Sequence, residues 1–359
     1  MEVRFPPRPI VNCALGALRL GDGYPQNCWG CYLTSCCIFF RRLPAEVSTR
    51  SALKRAAFRV CTRCCANVSP RCFVGCMHYG IFPSLDCLQG CLSRNLLRQP
   101  AKGTPPEIKA EWLMLDEPHS DSSRVILYLP GGGFVARDHT ASVFAARVLA
   151  RLAAKRQALP AILVLNYQLP AHPEHTKQEI EATIQWLRAQ GFTDVLVAGD
   201  SAGGYLAVQT FLEQSHRICG AVGICPVLDF TLSNQSHTRN SQSCFLTRRF
   251  TRYAREQFLG VSSSDPTAEA TARQHSLWIS SIRTETGTPA RPLFLVACEQ
   301  DPLVDDVQNF AARAATGAVQ VCSVQGEASF HISMLLPLLA SKSHRNALDQ
   351  MAEYIHQML

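Results

Sequence analysis

The sequence has little acidic charge in its first part and little cysteine in the rest. Residues 1–100 hold 4 Asp and Glu against 13 Lys and Arg, a balance of +9, and the remainder holds 24 against 22, a balance of −2. With no surplus of positive charge, the larger part of the chain offers no footprint for nucleic acid, and such a partner is not expected. Twelve of the 17 cysteines precede residue 100; only Cys219, Cys225, Cys244, Cys298 and Cys322 follow. The odd total and irregular spacing argue against a disulfide framework, so the chain reads as cytoplasmic with mostly reduced thiols. No secretory leader is visible, because Met1-Glu2-Val3-Arg4-Phe5-Pro6-Pro7-Arg8-Pro9 sets prolines and charges where a continuous apolar core is required. Internal repeats and low-complexity tracts are also lacking.

What is present is apolar bulk. With 359 residues, 47% of them hydrophobic, the chain can build one large α/β domain and an additional subdomain. Residues 1–106 read as a basic, cysteine-rich cap or leader that ends in a linker, Gln99-Pro100-Ala101-Lys102-Gly103-Thr104-Pro105-Pro106. Residues 107–359 read as the catalytic domain. Short apolar runs at 124–129, 161–165, 195–198, 221–225, 292–297 and 318–322 suit buried parallel strands. Between them lie amphipathic stretches. Ile180, Ile184 and Leu187 share a helical face before Gly191, and Leu348, Met351, Ile355 and Met358 make a similar stripe near the end. This alternation predicts a mostly parallel sheet with helices on both faces. The interval from about 230 to 290, polar with short helical pieces such as Thr251–Phe258, reads as an inserted lid.

The chemistry is concentrated at Gly199-Asp200-Ser201-Ala202-Gly203-Gly204. A serine hydroxyl is a poor nucleophile until a base takes its proton, and G-x-S-x-G places it on a sharp strand-to-helix turn where glycines allow close backbone approach. The apolar run 195–198 enters this motif and a helical stretch leaves it. An acyl-transfer site also needs N–H groups aimed at the developing oxyanion. Pro130-Gly131-Gly132-Gly133-Phe134 follows the first strand, and Gly131, Gly132 and Ala202 are the expected donors.

For the base, three histidines follow the late strands. His331 lies in a loop soon after the last strand and is preferred; His344 stands at a helix start and His356 on the terminal helix off its apolar stripe. For the acid, Asp301 lies just past the strand at 292–297, with Glu299 and Asp305 as weaker candidates. Asp305 and Asp306 are better explained as first-turn carboxylates of the following helix.

Together these residues resemble the hormone-sensitive-lipase-like branch of carboxylesterases, whose marks are an HGGG oxyanion loop, a GDSAGG elbow and a D-P-L-x-D acid loop. The resemblance covers residues 107–359, and is similar to that of fungal steryl acetyl hydrolases and hydrolases of secondary metabolism. It implies an α/β-hydrolase fold with helical cap elements, and Asp301 rather than Asp305 as the acid. Two departures stand out: Pro130 replaces the leading histidine of HGGG, and Asn166-Tyr167-Gln168-Leu169-Pro170 replaces the usual Tyr-Arg-Leu stretch.

The front segment admits three readings. A buried cap helix or poorly ordered leader is preferred. The apolar run Cys28–Phe40, 13 residues before Arg41-Arg42, is too short to span a bilayer, which takes about 20 residues. It could instead rest on a membrane surface through residues 28–42, acylated at Cys36 or Cys37. A structural zinc on Cys28-x-x-Cys31 and Cys61-x-x-Cys64 is the third, disfavoured because the other cysteines follow no ribbon or knuckle pattern.

The expected activity is hydrolysis of a small or lipophilic carboxylic ester through an acyl-enzyme, with no metal or organic cofactor. Alternatives are amidase, lactonase or thioesterase action on the same triad, or a non-catalytic small-molecule binder. The acyl and alcohol groups and the oligomeric state stay open at this stage.

Overall fold

The structure is a computed structural model; it describes residues 96–115, 120–137, 140–277, 293–314, 319–326, 328–336 and 341–359. The front-segment expectations (cap, membrane surface and zinc) therefore lie outside the described residues. Eight strands form one sheet: β1 (Leu96–Pro100), β2 (Ala110–Leu115), β3 (Ser120–Leu129), β4 (Leu159–Leu165), β5 (Asp194–Asp200), β6 (Gly220–Ile224), β7 (Leu293–Cys298) and β8 (Val319–Val324). Their order is β1-β2-β4-β3-β5-β6-β7-β8. Only the β1–β2 and β2–β4 pairs are antiparallel; all others are parallel. The six apolar runs thus become β3 to β8, whereas β1 and β2 were not anticipated. Gln99 and Pro100, expected to open a linker, end β1 instead, where pairing with Trp112 and Glu111 holds them.

Strand alternation divides the core between two faces. Val125, Leu127 and Leu129 of β3 face one side with Leu163, Val197 and Leu295; Ile126 and Tyr128 face the other with Val164, Ala198 and Val296. The first side is covered by α2 (Pro173–Ala189), α3 (Ala202–Gln214) and α7 (Val304–Ala312), the second by α1 (Thr140–Ala154) and α8 (Lys342–Met358). Each helix carries its stripe inward. Ile180, Ile184 and Leu187 are buried on α2, and Leu348, Met351 and Ile355 on α8. Gly191, at φ +96°, supplies the left-handed residue just past the end of α2, and its N–H returns to Arg188 O.

Between β6 and β7 the chain makes α4 (Ser236–Arg239), α5 (Arg248–Leu259) and α6 (Ala268–His275). Thr247 caps α5 by accepting from Phe250 N–H, and Gly260 closes it in the left-handed conformation. No helix among the described residues is long and apolar enough to cross a membrane.

The tightest packing lies where α3 leaves β5. A Cβ on Gly203 would sit 1.9 Å from Leu129 O, and one on Gly199 2.3 Å from Gly203 O. These backbones touch because no side chain separates them. Gly203→Ala is expected to destabilise the protein by about 1–3 kcal/mol or prevent folding, read as a lowered denaturant midpoint.

Candidate active site

Ser201 stands between the end of β5 and the start of α3 with φ 55° and ψ −116°, a strained conformation for a residue with a side chain. Its N–H is held by Ile224 O at 2.8 Å, so the turn is tied to the end of β6. The side chain is half-buried. Its Oγ lies 2.9 Å from His331 Nε2, and His331 Nδ1 lies 2.8 Å from Asp301 Oδ2. The three residues named from sequence thus meet in one line, although 100 residues separate Ser201 from Asp301 and 30 separate Asp301 from His331.

The other candidates go elsewhere. Glu299 accepts from Gly326 N–H at 2.9 Å, and Asp305 accepts from Arg239 and from Ser236 N–H. His344 is buried between Ser341 Oγ and Ser333 Oγ, its pKa held below the usual histidine value first by burial and then by Arg147. His356 lies on α8.

Asp301 and His331 are both almost wholly buried. Asp301 Oδ1 accepts Leu303 N–H at 3.0 Å, which turns Oδ2 toward the imidazole. The loop carrying Asp301 is strapped by the chain after β6: Asn240 Nδ2 donates to Asp301 O at 2.9 Å and to Glu299 O at 3.0 Å, and Ser236 Oγ donates to Pro302 O at 2.6 Å. Asp306, buried, accepts the N–H groups of Leu228 and Asp229 and the amide of Asn234. Burial raises its pKa despite these donors. The histidine loop is held by the same segment: His331 N–H points at Cys244 Sγ, and the Phe245 ring meets the imidazole edge to face at 5.8 Å. Burial pushes the thiols of Cys225 and Cys244 well above their usual range.

The glycine loop after β3 differs from expectation at one residue. Gly131 N–H, expected to face an oxyanion, donates to Asp200 Oδ1 at 3.2 Å. That oxygen also accepts Tyr128 OH at 2.6 Å and Thr140 Oγ1 at 2.9 Å, so a buried carboxylate gathers three donors under the loop. Among the described residues the N–H groups of Gly132 and Gly133 have no acceptor. Ala202 N–H belongs to the first turn of α3, where helix amides have no intrahelical partner.

Both glycines are structurally required. Gly132 has φ +114°, and a Cβ there would meet Ala136 O at 2.2 Å; Gly133 has φ +64°, with the Phe250 ring 2.8 Å from a Cβ position. Helix α5 therefore rests directly on the loop. Phe134, next in sequence, stacks on Phe258 of the same helix at 3.9 Å.

Pro130 leaves the loop anchored. Its carbonyl accepts Tyr167 OH at 2.6 Å, and Arg137 donates to Tyr167 O. Pro130, the first departure from the carboxylesterase pattern, is thus bonded to Tyr167, which stands in the stretch that carries the second. Neither this pairing nor the part of Asp200 had a sequence signal beyond a carboxylate set among elbow glycines.

A family profile described as α/β-hydrolase fold matches residues 126–335. In Mycobacterium tuberculosis, the carboxylesterase/phospholipase LipF is 32% identical over 116 residues, 30% of this chain and 29% of that protein. The esterase LipU of the same organism is 31% identical over 144 residues, 37% of this chain and 46% of its own. The chain thus spans less than half the length of these relatives. The crystal structure of an esterase from the bacterial hormone-sensitive lipase family superposes with a TM-score of 0.60 at 17% identity, covering 93% of this chain and 99% of that one. The matched region begins in β3, takes in the serine elbow and the Asp301–His331 pair, and ends just past β8, which is more than half the sequence: the chain belongs to the α/β-hydrolase fold family.

Proposed function

We propose that the protein is a serine hydrolase of the hormone-sensitive-lipase-like carboxylesterase branch, cleaving small-molecule carboxylic esters through an acyl-enzyme. The observation that carries this reading is the line Ser201 Oγ, His331 Nε2, His331 Nδ1, Asp301 Oδ2, with links of 2.9 and 2.8 Å. Ser201 attacks the ester carbonyl while His331 takes its proton at Nε2. Asp301 holds Nδ1–H and stabilises the imidazolium that forms. His331 then protonates the leaving alkoxide, and water, activated by the same imidazole, releases the acid and restores Ser201. The names of LipF and LipU support ester over amide chemistry.

The oxyanion is received by the N–H groups of Gly132, Gly133 and Ala202, since Gly131 N–H is engaged by Asp200. The positive end of α3 adds to the same potential. The helices between β6 and β7 form the lid, with α5 seated on the oxyanion loop.

Ser201→Ala is expected to lower hydrolysis of short p-nitrophenyl esters roughly 10,000-fold or more without unfolding the protein. Wild-type protein labels with a fluorophosphonate at Ser201; absence of labelling in folded protein rejects the assignment. Tyr167→Phe frees the Pro130 carbonyl and loosens the loop. It should cost about 1–3 kcal/mol in stability and lower kcat more than it raises KM, as steady-state kinetics will read. An unchanged kcat would mean that this bond does not position the oxyanion donors.

A further inference from the structure

Behind the imidazole lies a thiol that the hydrolytic reading does not use. Cys225 follows β6 directly, with φ 48°, a left-handed conformation that a cysteine adopts at a cost of order 1 kcal/mol. Its N–H is fastened to Val296 O at 2.9 Å, which fixes where the side chain points. The result is a buried group of three different donors: Cys225 Sγ, one Asp301 carboxylate oxygen and one His331 ring nitrogen lie within 4.8 Å of one another. The ring nitrogen beside Asp301 is Nδ1, at 2.8 Å from Oδ2.

We propose that Cys225, Asp301 and His331 form a site for a thiophilic divalent cation, zinc foremost, and that filling it switches off Ser201. A thiolate, an imidazole and a carboxylate are a donor set that zinc accepts, with a solvent molecule as fourth ligand. Tetrahedral bonds of about 2.0–2.3 Å place neighbouring donors roughly 3.3–3.7 Å apart. The Asp301–His331 bond must open by about half an ångström, and Cys225 draws in. Two further features favour capture. Cys225 donates its S–H to Cys298 Sγ at 3.3 Å, so once the ion has displaced that proton, Cys298 S–H can turn to donate to the thiolate. Ser201 is half-exposed, which leaves an approach from the substrate side.

The proton balance explains the inhibition. Cys225 releases one proton to solvent. At His331 the ion takes the place of the Nδ1 proton, which moves to Nε2, so the neutral imidazole presents N–H to Ser201 Oγ and can no longer accept the serine proton. No oxidant is involved.

This inference rests on the reading of His331 as the base of Ser201, and the test separates the two. The full chain, kept reduced with a phosphine, is titrated with Co2+, and its thiolate-to-cobalt charge-transfer absorption is compared with that of Cys225→Ala and His331→Ala. The wild type should show an increment that both variants lose and that Zn2+ displaces; the other cysteines contribute equally to all three. In parallel, Zn2+ should slow fluorophosphonate labelling of the wild type at least about tenfold and leave Cys225→Ala unaffected. Should Cys225→Ala not fold, Cys225→Ser serves, because the thiolate increment is lost there as well. An increment of equal size in all variants, or equal slowing by Zn2+ with and without Cys225, overturns the proposal. Wild-type protein that does not label in the absence of metal instead overturns the hydrolase reading, and the cobalt increment then judges the site alone.

Discussion

The site depends on one close approach of backbone to backbone. Gly199 and Gly203 let the start of α3 lie against the end of β3, so near that any side chain at either position would overlap a carbonyl oxygen. This contact sets the end of β5, the turn at Ser201 and the loop after β3 in a single rigid corner. Ser201 and the glycine loop come from segments some 70 residues apart, yet their spacing is determined by van der Waals contact rather than by flexible side chains. The strained φ of Ser201 persists because the neighbouring hydrogen bond to Ile224 and this contact over-determine it.

Buried aspartates extend the corner outward. Asp200 collects Tyr128, Thr140 and Gly131 beneath the glycine loop. Asp306 collects Leu228, Asp229 and Asn234 at the root of the segment after β6. Asp301, between them in function, faces the imidazole. A carboxylate removed from water is costly unless several donors meet it, so each of these residues commits its neighbourhood to one arrangement. The segment after β6 is consequently more than a covering: through Ser236, Asn240, Cys244 and Phe245 it holds both loops that carry Asp301 and His331.

Much of this was legible in the residues. Six strands announced themselves as apolar runs because buried parallel strands need such residues on both faces, although β8, at the other edge of the sheet, leaves three of its six residues exposed. β1 and β2 did not. β1 is the edge strand and β2 its antiparallel neighbour, and the burial pattern of β1 leaves four of its five residues exposed, so neither periodicity nor composition marks it. Ser201, Asp301 and His331 were chosen from chain order and position after strands, and the structure brings them together. Gly131 was chosen on the same basis, yet its N–H turns to Asp200, a partner 69 residues away that no local pattern reveals.

By itself the sequence determined which chemistry the corner could hold: a serine among glycines after an apolar strand, a glycine loop one strand earlier, and an aspartate and a histidine after the last strands. Local geometry dictates those choices, because a strand-to-helix turn tolerates only small neighbours and a nucleophile needs a base in reach. Only the tertiary structure decided which N–H groups stay free, that Tyr167 closes on Pro130, and that the Cys225 thiol lies behind His331. These depend on hydrogen bonds and contacts between distant segments, and their partners are set by how helices and loops pack over the sheet, not by the residues beside them in the chain.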